Sequence, residues 1–265
     1  MDRVIGDPRV AGVSLTGSVA AGQAVAEAAG RHLKPSLLEL GGSDPFIVLS
    51  DADLDAAADA AVASRTLNSG QSCIAAKRFL VEAPVHDAFV ERVRARMAAL
   101  RVGDPREEHT DIGPLARPDL ISNLHFQVTS SVELGAKLEL GGAPVERAGN
   151  FYPPTLLTGV RRGMPVFDEE TFGPVAAVVK VEHEGELVEL ANATLYGLGA
   201  SVFSESNRGS ELIDKLDAGF VALNAFVRSD PRLPFGGIKH SGYGRELSRE
   251  GLLAFANTKT VWVQR

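Results

Sequence analysis

Apolar residues fall along this chain in two periods, and the two alternate. Short apolar runs at 10–16, 36–40, 45–49, 78–81, 156–157, 175–181, 199–203 and 219–224 have the length and Val/Leu/Phe content of strands buried on both faces. Between them, apolar positions recur every three or four residues. Leu54, Ala57, Ala58, Ala61 and Val62 form one such stripe within 51–65, and Phe89, Val93 and Met97 another within 85–100. Further helices are expected over 19–29, 118–134, 184–194, 207–216 and 246–256, and a strand over 137–140. Strands alternating with helices predict an α/β fold, a parallel sheet flanked by helices. Ser18 is placed to cap the helix at 19–29 and Gly30 to close it. A last strand is expected at 258–263, where Val261 and Val263 alternate, with an edge free to pair with another subunit.

Composition narrows the class. At 265 residues, 45% hydrophobic and 23% charged, the chain can bury a sizeable core in one large or two modest domains. A formal net charge of −7 argues against nucleic acid and acidic membranes as partners. It leaves room for an anionic cofactor held by backbone N–H groups. No apolar run approaches a spanning length, and the first residues lack a signal-peptide core. With one cysteine, this predicts a reducing, cytoplasmic setting. The six histidines show no ligand spacing, so no metal site is expected.

Candidate chemistry concentrates in a few positions. Cys73 closes the polar, glycine-broken stretch Leu67-Asn68-Ser69-Gly70-Gln71-Ser72-Cys73. A lone thiol is either a buried small hydrophobe or a nucleophile, and a polar loop suits the nucleophile. Glu39 sits among Leu37, Leu38 and Leu40. Such a carboxylate either reaches a backbone N–H or has its pKa raised by burial and serves as a base. Gly17-Ser18 between a strand and a helix is either an ordinary capped turn or a phosphate site. Glu169-Glu170, taken alone, reads as a solvated acidic turn.

Four segments together carry a resemblance. Asn68-Ser69-Gly70-Gln71-Ser72-Cys73, Leu38-Glu39-Leu40-Gly41-Gly42-Ser43-Asp44-Pro45, Glu169-Glu170-Thr171-Phe172-Gly173-Pro174 and Pro234-Phe235-Gly236-Gly237 through Glu246 are similar, in order, to motifs of the aldehyde dehydrogenase superfamily. The nearest resemblance is to its succinate-semialdehyde dehydrogenase branch. It implies NAD(P)-dependent oxidation of an aldehyde, such as a semialdehyde, through a cysteine thiohemiacetal and thioester. It implies Cys73 as nucleophile and Glu39 as base, with the Cys73 N–H as half of an oxyanion hole. Gly17, Ser18, Leu40, Glu170 and Phe172 would bind NAD or NADP, and the partners would be a small aldehyde and further copies of the chain, as a dimer or tetramer. The branch often places an Arg six residues before the cysteine to hold a distal carboxylate; here Leu67 stands there, and Arg228, Ser229 and Arg232 are the expected substitutes, with Arg65 and Arg78 behind them.

The resemblance begins inside the family's nucleotide-binding domain, so the chain is expected to be the C-terminal portion of a longer enzyme. Residues 1–41 would end that domain, 42–240 form the catalytic domain, and 241–265 supply a C-terminal helix and oligomerisation strand. The rival reading is a non-catalytic oligomer partner that keeps the fold.

Overall fold

Seven strands share one sheet, in the order Phe220–Leu223, Gly199–Phe203, Pro45–Val48, Arg78–Glu82, Val175–Val181, Thr155–Thr158, Lys137–Leu140, in a computed structural model that describes residues 1–265. Neighbours are parallel except the last pair, where Lys137–Leu140 runs antiparallel to Thr155–Thr158. The inner strands are apolar at most positions because both faces are covered, with charged residues such as Arg78 and Glu82 at their ends. Phe46, Val48, Phe79 and Val81 face the helices Leu54–Thr66 and His86–Ala98 through Ala57, Ala61, Phe89, Val93 and Met97. Ile47, Leu49 and Leu80 point the other way, toward Leu124, Val128, Leu187 and Leu212 of the helices behind. Asp53 starts the first of these helices, its carboxylate accepting from the N–H groups of Asp55 at 3.0 Å and Ala56 at 3.1 Å.

A smaller sheet stands apart. Val13–Thr16 pairs parallel with Ser36–Glu39, which pairs antiparallel with Gly242–Tyr243. The helix Val19–Arg31 covers it with Val25, Ala28 and Ala29 against Leu38 and Leu40. Glu39 occupies the middle strand, opposite Thr16 on one side and Gly242 on the other.

Several expectations shift at the ends of elements. The first strand starts at Val13 and alternates half-buried with exposed residues, because it is an edge strand covered on one face only. Gly30 does not end its helix, which runs to Arg31 with His32 after it. The last helix shrinks to Ser248–Leu253, because Glu246 is tied in a backbone bridge to Phe235 and Leu247 is left-handed at φ 60°. Residues 257–265 form no ladder within the chain: a strand needs a partner's edge, and Val261, Trp262 and Val263 stand 73%, 88% and 75% exposed. No helix is long and apolar enough to cross a membrane.

Phe46 is wholly buried, stacked 4.8 Å from Phe203 and tilted against Phe79 at 5.3 Å. Phe46→Ala is predicted to cost about 3–5 kcal/mol through the cavity it leaves. Chemical denaturation followed by circular dichroism measures this; a loss below about 1 kcal/mol would mean this face of the sheet is loosely packed.

Candidate active site

A cavity of about 650 Å³ opens where the small sheet meets the large one. Its walls come from separated pieces of chain: Gly17 and Ser18 after the first strand, Glu39 to Gly41 at the end of the second, Asn68 and Gln71 to Cys73, and Glu170 with Phe172. Cys73 and Glu39 therefore share one cavity, although the loop of one and the strand of the other belong to different sheets.

The loop before Cys73 is forced into shape. Asn68, Ser69 and Gly70 are successively left-handed, at φ 51°, 56° and 76°. Two non-glycine residues in that region cost of order 1–3 kcal/mol each, so the surroundings must hold them. They do. Ser69 Oγ accepts from the Gly113 N–H at 3.0 Å, the Asn68 amide donates to the Gln71 carbonyl at 3.1 Å, and Gln71 Oε1 accepts from the Ala116 N–H at 2.8 Å. The buried Arg65 guanidinium donates to the Gly70 carbonyl at 2.7 Å. A side chain at Gly70 would meet the Gly173 backbone at 2.3 Å, and one at Gly42 the Cys73 carbonyl at 2.6 Å, so both glycines let segments close on the thiol.

Cys73 is half-buried. Burial pushes its thiol up first; Lys77 pulls it back, and Asp44, Glu170 and Glu39 push further up. Glu39 is 3% exposed, and neither carboxylate oxygen has a hydrogen-bond partner. The reading in which Glu39 reaches a backbone N–H thus fails. Burial, then the nearby charge of Glu246, carries its pKa to about 8 against the opposing pull of Arg245. A carboxyl poised there can take a proton near neutral pH.

The residues expected to meet a dinucleotide also converge. Ser18 caps its helix, its Oγ accepting from the Ala21 N–H at 3.3 Å. No acidic residue occupies that first turn. Buried Leu40 lines the same wall. Glu170 is not the solvated turn its neighbours suggested: Oε1 accepts from the Gly42 N–H at 2.9 Å and its side chain is 20% exposed.

The arginines expected for a distal carboxylate are elsewhere. Arg228, Ser229 and Arg232 are exposed and do not line the cavity. Arg228 stacks over Phe226 at 4.2 Å, and Arg232 is held by Asp230 at 2.6 Å. Arg65 and Arg78 are fully buried and bonded to backbone carbonyls. Arg117 is the arginine on the cavity wall, its guanidinium paired with Asp119 at 2.9 Å. Sequence reading also passed over Asp44 and Lys77, both buried beside the Cys73 loop. The signal was there: a Lys-Arg pair opening a strand apolar enough to be central.

The model of the aldehyde dehydrogenase family matches residues 1–261. Among curated proteins, a succinate-semialdehyde dehydrogenase (NADP+) 1 of Mycobacterium tuberculosis is 50% identical over 264 residues, covering 99% of this chain and 58% of that protein. A solved succinic semialdehyde dehydrogenase from Streptococcus pyogenes, in complex with NADP+, is 39% identical with a TM-score of 0.96, covering 100% of this chain and 58% of that one. An NAD-dependent aldehyde dehydrogenase from Sinorhizobium meliloti is 41% identical with a TM-score of 0.93, covering 96% and 51%. The chain thus spans less than two thirds of the length of these relatives.

Glu39 makes a stability prediction. Its folded pKa, about 8, lies above the ordinary 4.5, so its favourable share is full below about 4.5 and is lost as pH rises through about 8. Glu39→Gln, neutral throughout, should therefore gain stability relative to the parent across that window, by roughly 1–3 kcal/mol above pH 8 after discounting for water in the cavity. Urea midpoints at acid and alkaline pH measure the difference; a pH-independent one would mean Glu39 titrates normally.

Proposed function

Because the chain belongs to the aldehyde dehydrogenase family, we propose that it carries the site that oxidises an aldehyde to a carboxylic acid. Cys73 is the nucleophile, Glu39 the base, and NAD or NADP the oxidant. One observation carries this reading: the only thiol and a buried, unpartnered carboxyl line one cavity, together with Gly17, Ser18, Leu40, Glu170 and Phe172. A semialdehyde is the proposed substrate class, from the names borne by the curated relatives.

The chemistry follows from these groups. The Cys73 thiolate adds to the aldehyde carbon and forms a thiohemiacetal, with the oxygen carrying the displaced electron pair. The cofactor, when bound, supplies the hydride acceptor. The start of the helix capped by Ser18 offers backbone N–H groups to its phosphates, beside Gly17, whose own N–H is donated to the Glu39 carbonyl at 3.0 Å, and the Glu170 carboxylate offers an acceptor to its ribose hydroxyls. Loss of hydride leaves a thioester on Cys73. Ionised Glu39 takes a proton from water, the hydroxide adds to the thioester carbonyl, and the carbon–sulfur bond breaks to release the acid and return the thiolate. The two sheets support a division near residues 41 and 241, with the small sheet on the cofactor side.

The exposed tail suggests what it pairs with. Val261, Trp262 and Val263 offer an apolar strand to a second copy, so we take the assembly to be a dimer or tetramer. Removing residues 257–265 should then lower the mass seen by light scattering; an unchanged mass would contradict that use of the tail.

Hydrolysis of an activated ester tests the site without cofactor. The protein should hydrolyse a p-nitrophenyl ester, with a rate that rises with pH toward about 8. Cys73→Ser should abolish the activity, and Glu39→Gln should lower it by about 10²–10⁴ and flatten the pH rise. Undiminished hydrolysis in Cys73→Ser would remove Cys73 from the proposal.

A further inference from the structure

Lys77 has no exposure to solvent, and no carboxylate lies within hydrogen-bonding distance of its ammonium. Lysines are almost never fully buried without a partner. Its three donors go instead to three carbonyls of one loop: Ala75 at 2.9 Å, Cys73 at 3.0 Å and Ser72 at 3.3 Å. Glu170 Oε1 follows at 3.8 Å. This loop is the one that carries the thiol, four residues before Lys77.

We propose that Lys77 is a positioning residue for Cys73: its ammonium pins the loop through the carbonyls on either side of the thiol, and its charge steadies the thiolate. This rests on the reading of Cys73 as nucleophile and deepens it. A peptide group is planar and trans, so its C=O and N–H point to opposite sides. With the Ser72 carbonyl turned onto Lys77, the Cys73 N–H points away from the ammonium, free for an oxyanion. The charge adds to the geometry: burial, then Arg65, pull the Lys77 ammonium down to about 8, and below that it stays charged. The groups around this ammonium are Asp44 from the turn before Pro45–Val48, Glu170 from the acidic turn, Arg65 from the helix Leu54–Thr66, and Cys73 itself, with Glu39 facing the thiol in the cavity. Arg78 is turned away, donating to the carbonyls of Ser43 and Ala191. Asp44, Glu170 and Glu39 all oppose ionisation of the thiol, and Lys77 favours it.

The test is the titration of Cys73, read as thiolate ultraviolet absorbance that is absent from Cys73→Ser; with one cysteine in the chain the signal has one source. Lys77→Gln keeps an amide donor but no charge. Its midpoint should rise, leaving up to about tenfold less thiolate below about pH 8, where Lys77 holds its charge. Lys77→Arg should return most of that shift. Asp44→Asn leaves Lys77 in place, keeps an acceptor for the Gly199 N–H, and should move the midpoint the other way. Should Lys77→Gln fail to fold by circular dichroism, Lys77→Met takes its place. Should neither fold, Asp44→Asn decides, and an unchanged or raised midpoint overturns the proposal. Unmoved midpoints in Lys77→Gln and Lys77→Met, or shifts of the same sign in Lys77→Gln and Asp44→Asn, also overturn it. The titration requires no turnover. A Lys77-dependent midpoint in a protein inert toward esters would sink the catalytic reading alone, and a Lys77-independent midpoint in an active one would sink this inference alone.

Discussion

A charge taken out of water must be answered by polar atoms, and here most of the answering atoms are backbone groups, among them those of the loop that carries Cys73. Lys77 uses the carbonyls of 72, 73 and 75; Arg65 uses that of Gly70; Arg78 uses those of Ser43, Leu190 and Ala191. Asp44 accepts from the Gly199 N–H at 3.1 Å. These four buried ions spend their hydrogen bonds on the chain rather than on one another. Lys77 and Arg65 tie down the segment around Cys73, Arg78 joins Ser43 to the end of the helix Glu184–Asn192, Asp44 holds the start of the strand Gly199–Phe203, and removing one leaves buried backbone groups unanswered. The large sheet supplies the frame, because Pro45–Val48 and Arg78–Glu82 lie side by side and deliver Asp44 and Lys77 at the same end.

Against that held loop, Glu39 is left alone. It sits mid-sheet with no partner for either oxygen, and its proton is retained to about pH 8. The thiol is also pushed up by burial. Both groups therefore keep their protons at neutral pH. The low dielectric that makes this so also strengthens any charge placed in the cavity during reaction.

Much of this was legible in order along the chain. Strands and helices of the large sheet announce themselves because burial on both faces demands uninterrupted apolar runs, as in Phe79-Leu80-Val81. Glu39 stood out as a charge in an apolar strand, and Cys73 as a lone thiol in a glycine-broken loop. Three things were not legible. Lys77 passed without notice: its place at the head of an apolar strand hints at burial, but nothing local reveals that three carbonyls will turn toward it. Arg228 and Arg232 looked available, because the short-range contacts with Phe226 and Asp230 depend on how the loop folds back. The tail at 258–263 has a strand's alternation, yet a strand forms only against an edge, and within the single chain the tail pairs with none.

The central claim is that Cys73 and Glu39 act in succession on one acyl group. Intact-mass spectrometry after mixing with an activated ester tests it most directly. In Glu39→Gln, an acyl adduct should accumulate and map to the peptide containing Cys73, while the parent protein clears the same adduct. An adduct that forms on other residues, or that clears equally fast in both proteins, would contradict the account.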